Sequence, residues 1–137
     1  MGNTIKGIAT LQAASGSYNG GLKRENKTVA TADATTTVIW ASPVVAVGEA
    51  ITVRGMLVGK RTDGTAGTQA IFDAAARRQS AGNVTLVGAA TVTIKESNAS
   101  TNVTLTANTT NQTLDLSVVG IAAESWVWEV HSEYIKV

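Results

Sequence analysis

The stretch that decides the fold is Trp-Val-Trp-Glu-Val-His-Ser-Glu-Tyr-Ile-Lys-Val at residues 126–137, which follows Leu-Asp-Leu-Ser-Val-Val-Gly at residues 114–120. In an extended strand, side chains two residues apart point to the same side. Trp126, Trp128 and Val130 therefore share one face, and the other face carries Val127, Glu129, His131 and Glu133. The pattern predicts a strand with a buried aromatic face and a wetter outer face.

Burial of this tryptophan pair is expected to contribute strongly to the core. Each buried indole removes about 150–250 Å² from water, a gross gain of roughly 4–6 kcal/mol at about 25 cal/mol per Å². This is an upper bound, because the unfolded chain already hides part of that area. Trp40, on another predicted strand, is available to pack against the pair. We interpret Trp126 and Trp128 as core or subunit-interface residues rather than as a stacking platform for a ligand.

The composition limits the classes of function. The 137 residues suggest one domain, and only 15% of them are charged, well below the usual quarter. A net charge of +1 argues against nucleic acid or an acidic membrane as a partner. Cysteine is absent, which excludes disulfides and thiolate metal sites. We expect no signal peptide and no membrane span of the usual ~20 apolar residues.

The N-terminal 26 residues are predicted to form a flexible arm, and residues 27–137 a single β-sandwich domain. Five glycines interrupt any regular element in residues 1–26. Two interpretations stay open for this arm. It is either a poorly ordered terminus or a segment that becomes ordered only against a neighbouring subunit.

Alternating apolar residues predict about eight strands after the arm. They lie at residues 27–31, 35–41, 50–61, 69–78, 84–95 with a kink at Gly88, 103–107, 114–119 and from 126 onward. In the second strand, Thr36, Val38 and Trp40 are expected to share a face. Asp63-Gly64 predicts a hairpin loop, and Gly55 a bulge or a close approach of backbone. Strands at this spacing are typical of an all-β antiparallel sandwich, here expected to be jelly-roll-like.

The segment from Gln69 to Arg78 is ambiguous. Its alanine run Ala74-Ala75-Ala76 has high helix propensity. As a strand, however, it would place Ala70, Phe72, Ala74 and Ala76 on one face, and turn signals flank it on both sides. We favour the strand, because pairing with neighbours often overrides local propensity.

No catalytic, cofactor-binding or metal-binding residues are predicted. Glu129, His131 and Glu133 alternate along the last strand and would share a face, so they could offer ligands to a metal. His131 is the only histidine, and a solvated strand face is the better interpretation. With one histidine and no cysteine, a Ser-His or Cys-His nucleophile pair is not expected either.

Other local patterns have plain explanations. The glycine-rich stretch from Gly55 to Gly67 lacks the spacing of a phosphate-binding loop, since Arg61 stands where Ser or Thr is required. For Asp73 with Arg77 and Arg78, a solvated face is the better interpretation than an interfacial charge cluster. Lys23, Arg24 and Lys27 form a small basic patch that is too weak alone to bind nucleic acid but can meet an acidic partner surface. Asn-x-Ser/Thr triplets are taken as chance products of a Thr- and Asn-rich chain, and they occur at Asn26, Asn83, Asn98, Asn102, Asn108 and Asn111.

Several of these stretches together resemble a family. They are Val-Gly-Lys-Arg-Thr-Asp-Gly at residues 58–64, the alanine-rich run ending in Arg77-Arg78, Val-Thr-Leu-Val-Gly at 84–88, residues 114–120, and Trp-Val-Trp-Glu-Val at 126–130. Over residues 28–137 the chain resembles the C-terminal β-domain of small virion proteins of tailed bacteriophages. Such domains occur in capsid decoration (cement) proteins, head fibres and tail fibres.

The resemblance implies a non-enzymatic structural protein without a cofactor. It implies a β-sandwich that forms a homo-oligomer, commonly a trimer, and binds the phage major capsid protein. The expected location is the capsid surface of the virion, after synthesis in the host bacterial cytoplasm. The alternative is a tail-fibre or tail-tip module that recognises a host surface through loops such as residues 62–68 and 97–102. An enzyme on a β-scaffold is the third option.

Overall fold

The computed structural model describes residues 21–97 and 99–137, which form nine strands and no helix. All pairings between these strands are antiparallel. The strands are β1 (Leu22–Thr31), β2 (Thr36–Ala41), β3 (Ala50–Arg61), β4 (Gly67–Arg78), β5 (Val84–Leu86), β6 (Thr91–Glu96), β7 (Asn102–Asn108), β8 (Thr113–Val119) and β9 (Trp126–Lys136).

The strands form two sheets that pack against each other. The large sheet has the order β1-β9-β3-β4-β5, with β6 also paired to β4, and the small sheet has the order β2-β8-β7. The predicted all-β antiparallel sandwich is therefore confirmed. β7 and β8 form a hairpin that pairs Val103 with Val118 and Leu105 with Leu116.

One predicted strand is divided into two, which raises the number of strands from eight to nine. Gly88 has a positive φ of 78°, which breaks the extended conformation between β5 and β6. Both pieces pair along the same side of β4, with Thr85 opposite Arg77 and Thr93 opposite Ile71. They act together as one kinked edge strand, as the sequence predicted.

The ambiguous segment is strand β4. It pairs with β3 along its whole length on one side and with β5 and β6 on the other. Ala70, Phe72, Ala74 and Ala76 all face the core, with at most 5% of each exposed. Pairing on both sides satisfies the backbone of β4, so tertiary structure overrides the helix propensity of the alanine run.

The first strand begins five residues earlier than expected. Leu22 pairs with Ile135 and Arg24 with Glu133, so residues 22–26, predicted as part of the arm, already belong to the large sheet. Residues 22–26 were not predicted as part of a strand because they are mostly charged and exposed, as is usual in a protected edge strand. The remainder of the predicted arm, residues 1–20, lies outside the described residues.

The predicted face of β2 is wrong. Val38 is 48% exposed, whereas Ile39 and Trp40 are both buried. The pairing with β8 shifts register between Val38 and Trp40. This bulge interrupts the alternation and turns two consecutive side chains into the core.

The tryptophan pair lies in the core, as predicted. Trp126 and Trp128 are fully buried, and their rings stack with centroids 5.4 Å apart and planes 19° apart. The indole N–H of Trp128 donates a hydrogen bond of 2.9 Å to the Thr31 hydroxyl, and that of Trp126 donates one of 3.0 Å to Glu124. Both polar groups of the pair are therefore satisfied.

Two glycines of β3 make room for aromatic rings. A Cβ at Gly59 would overlap the ring of Trp128, and one at Gly55 would overlap the carbonyl oxygen of His131 and the ring of Phe72. The close approach predicted for Gly55 is therefore present. Glycine is required at these positions because the rings occupy the space that a side chain would fill.

Candidate functional site: the outer face of the large sheet

The side of the large sheet that points away from the small sheet carries an unusual number of apolar residues, and we call it the outer face. Met56 and Ile71 lie opposite each other at its centre and are 62% and 66% exposed. Val58 and Ile135 are also exposed there, and Val87 lies at its β4 edge. An antiparallel sheet that covers a core on one side normally turns polar residues to the solvent. The outer face is therefore a candidate interaction surface.

A charged row crosses the outer face beside this apolar centre. Glu133 lies at its middle, with Arg24 Nε and Arg54 Nε each 3.0 Å from its carboxylate oxygens. The two arginines come from β1 and β3, the strands on either side of β9. Only 14% of the Glu133 side chain is exposed. The carboxylate is thus held between two guanidinium groups while remaining on the surface of the sheet.

The pKa of the Glu133 carboxyl is lowered from its ordinary value of 4.5. The main cause is the hydrogen bond from Arg54, and His131 and the charge of Arg24 act in the same direction. Partial burial opposes the shift. The net effect favours the ionised carboxylate.

The possible metal ligands of β9 do share the outer face. His131 Nδ1 lies 2.6 Å from the side-chain oxygen of Asn26, and its Nε2 lies 3.6 Å from Glu133. Glu133 is in turn committed to two arginines. Within residues 21–97 and 99–137, no group of three or more His, Asp or Glu side chains is placed to hold a metal. The arrangement is an ion-pair network across strands.

Strand alternation separates the charge groups that are neighbours in sequence. Arg24 lies on the outer face with Glu133, whereas Lys23 and Lys27 point to the opposite side of β1. On β4, Asp73 and Arg77 both belong to the outer face but lie four residues apart, about 13 Å along the strand, while Arg78 donates to the carbonyl oxygen of Gly82 at the strand end. Neither predicted group forms a compact cluster.

Asparagines of the sequon triplets have structural roles where the chain is described. Asn26 contacts His131, Asn83 accepts a hydrogen bond from Gln112, and Asn108 donates to Asp115. Asn98 lies outside the described residues. These three asparagines are therefore engaged in contacts within the fold, and the chance origin of the triplets stays a prediction.

Sequence reasoning did not single out Met56, Val58 or Ile71 as surface residues. The sequence did indicate an apolar outer side of β3, because residues 55–58 read Gly-Met-Leu-Val and contain no polar residue on either face. A strand that is apolar on both faces is typical of burial on both sides. In this chain the second side of β3 is open within the described residues, and shallow grooves of about 410 and 570 Å³ cross it.

No helix in the described part of the chain has the length and apolarity needed to cross a membrane. No protein-family model and no curated protein matches the sequence. Solved structures that are similar include three tailspike proteins of Acinetobacter phages. That of Acinetobacter baumannii phage AM24 has a TM-score of 0.47 and 7% identity over 84% of this chain and 26% of the tailspike chain.

The second tailspike, from Acinetobacter baumannii bacteriophage Fri1, is described as a capsular polysaccharide depolymerase. It has a TM-score of 0.35 and 10% identity over 85% of this chain and 19% of its own. The third, from Acinetobacter phage vB_ApiP_P1, has a TM-score of 0.35 and 13% identity over 85% and 22%. This chain therefore spans about a quarter or less of each tailspike chain.

Proposed function

We propose that this chain is a non-enzymatic structural module of a tailed-phage virion that works by protein–protein contact through the outer face. The observation that carries the proposal is the exposed apolar centre formed by Met56, Val58 and Ile71 on an otherwise well-packed sandwich. The sequence resemblance to small phage virion proteins supplies the phage context.

The mechanism is the burial of the outer face against another protein. The strands on either side of Met56 are paired along their length, so the face is presented on a rigid sheet. A rigid surface loses little conformational entropy on binding. A specific contact is expected to bury at least about 1,000 Å² in total. In a symmetric particle the same contact is repeated at every copy, which makes a modest interaction effective.

Two locations on the virion belong to the proposal. As a capsid decoration protein, the module would bind the major capsid protein and stabilise the shell. As part of a tail fibre or tail tip, it would join or present a module that recognises the host surface. Both locations belong to the proposal because an exposed docking face can serve a tail appendage as well as a capsid shell. The trimeric state expected from the resemblance also stays a prediction.

The location is tested by antibody labelling and electron microscopy of particles of the phage whose genome encodes the chain. Label on the shell supports the decoration protein, and label on the tail supports the appendage. Particles that contain none of the protein would overturn the proposal.

A matched pair of variants tests the surface. Ile71→Lys places a charge at the centre of the outer face, whereas Val38→Lys places one on the exposed side of β2 in the small sheet. We expect Ile71→Lys to reduce the copy number on the particle and Val38→Lys to leave it unchanged. Equal incorporation of the two variants would argue against the outer face. Deletion of residues 2–20, tested in the same assay, decides whether the predicted arm contributes.

A further inference from the structure

We propose that the partner of the outer face is the outer face of a second copy of this chain, related by a two-fold axis that runs parallel to the strands between β3 and β4. The proposal rests on the proposed function for its surface and names a second copy as the protein that covers the outer face; it does not depend on the location in a virion. It follows from the arrangement of side chains in rows across the sheet.

The register of the strands defines four neighbouring rows on the outer face. From β9 through β3 and β4 to the β5–β6 edge, the rows are Glu129-Val58-Gln69-Lys95, His131-Met56-Ile71-Thr93, Glu133-Arg54-Asp73-Thr91 and Ile135-Thr52-Ala75-Val87. A two-fold axis between β3 and β4 maps each row onto itself in the second copy. It places β3 over β4 and β9 over the β5–β6 edge.

The middle pair of the apolar centre, Met56 and Ile71, is self-complementary under this rotation, while Val58 comes to lie over Gln69 of the second copy. Met56 comes to lie over Ile71 of the second copy, and Ile71 over Met56 of that copy. Both residues are among the most exposed apolar side chains of the described chain. In the last row Ile135 meets Val87, each about half exposed. The exposed apolar residues of these two rows are therefore paired with one another.

The charges are also complementary. Arg54, whose side chain is 73% exposed, faces Asp73 of the second copy. Asp73 is exposed and forms no ion pair within residues 21–97 and 99–137. In the first row Glu129 faces Lys95, and both side chains are exposed. Each pair occurs twice by symmetry, and no like charges meet in the four rows.

The size of the face suits a stable dimer. The four strand positions that overlap under this rotation are spaced about 4.8 Å apart, and ten residues of about 3.3 Å each along them give a face of roughly 630 Å². Specific protein interfaces bury about 600–1,000 Å² per partner, so the face lies at the lower end of that range. An axis parallel to the strands keeps the strands of the two copies aligned, within the roughly 30° that packed sheets allow. The Met56–Ile71 and Arg54–Asp73 contacts lie closest to this axis.

The mass of the 137-residue chain in solution tests the proposal. Sedimentation equilibrium is expected to give a concentration-dependent mass that approaches twice the 14.1 kDa of the chain. A mass of one chain up to about 1 mM would overturn the pairing, because a specific interface of this size binds more tightly than that. A mass of three chains would also overturn it and would favour the trimer.

Charge reversal tests the geometry. Glu129→Lys and Lys95→Glu each create two like-charge contacts across the axis, so each is expected to weaken association by roughly tenfold or more. The double variant restores opposite charges and is expected to recover the association of the unchanged protein. Neither residue has an ion pair within the described chain, so unfolding is not expected, and circular dichroism checks this.

Failure of the double variant to recover association would overturn the two-fold axis. Val38→Lys on the small sheet is the control and is expected to leave the mass unchanged. Association that occurs only on addition of purified capsid or tail protein would assign the face to that partner and overturn the self-pairing. The virion labelling experiment is independent of these results, so the proposed function and the pairing can fail separately.

Discussion

At Glu133 one carboxylate is shared by guanidinium groups from the two strands that flank β9. Arg24 and Arg54 each lie 3.0 Å from it, and His131 lies 3.6 Å away. The sequence indicates that Glu133 is on the outer side of the last strand. It does not indicate which residues of β1 and β3 are opposite, because that depends on register. The two ion pairs connect Glu133 on β9 to the neighbouring strands β1 and β3.

The lowered pKa of Glu133 predicts a pH dependence of stability. A carboxyl whose pKa is lower in the folded state stabilises the protein above its unfolded pKa, and this contribution is lost as the pH falls through the folded value. We expect Glu133→Gln to be less stable than the unchanged protein at neutral pH. We also expect it to lose less stability below about pH 5. Urea unfolding at a series of pH values measures both effects.

Glu129→Gln is the matched control for this prediction. Glu129 lies on the same strand and the same face, but it has no ion pair among the described residues. The Glu129→Gln protein should lose about as much free energy of unfolding at low pH as the unchanged protein does. If Glu133→Gln and Glu129→Gln have the same profile, the Arg24–Glu133–Arg54 network does not contribute to the pH dependence.

At the scale of elements, β3 shows how one strand serves both sides of its sheet. Its inner side has Ile51, Val53 and Leu57 in the core, and Gly55 and Gly59 leave space for rings. Its outer side carries Met56 and Val58, which are exposed. The alternation of the strand was predictable from the sequence. The rings of Phe72 and Trp128 that require the glycines come from neighbouring strands and were not.

Gly59→Ala is expected to destabilise the protein because its Cβ would overlap the buried ring of Trp128. Overpacking of a core typically costs about 1–3 kcal/mol in the free energy of unfolding. Gly67→Ala is the control, since a Cβ there meets only the carbonyl oxygen of Gly59 at 3.6 Å, an ordinary contact. Chemical denaturation followed by tryptophan fluorescence compares the two. A Gly59→Ala protein as stable as Gly67→Ala would contradict the close approach.

At the scale of the whole molecule, the two ends of the described chain meet in the large sheet. Leu22 pairs with Ile135, and β9 lies between β1 and β3. Pairings of this kind join residues that are far apart in sequence, so chain entropy must be lost before they form. The hydrogen bond between Trp128 and Thr31 also depends on this closure.

This topology predicts slow folding. Small all-β proteins dominated by distant contacts fold in roughly milliseconds to seconds. Because Trp40, Trp126 and Trp128 are all buried, stopped-flow fluorescence should follow formation of the core directly. Refolding complete within microseconds would show that local hairpins, rather than the β1–β9 and β3–β9 pairings, limit the rate.

The sequence alone determined which segments are strands and which side of most of them is apolar. Periodicity of two residues predicted the sandwich and the buried Trp126 and Trp128, and the glycine at position 88 predicted the kink. This information is local, because it depends only on side chains that are neighbours along one strand. It also predicted the strand at residues 69–78 against the helix propensity of its alanines.

Only the tertiary structure decided which strands are neighbours and in what register. Order and register place Arg54 beside Glu133, set Met56 opposite Ile71, and bring residues 22–26 into the large sheet. They also produce the bulge that buries Ile39 with Trp40. The physical reason is that a strand carries the same alternation whatever its partner. The packing of the whole core selects the neighbouring strand. That selection also fixes which residues lie side by side on the outer face.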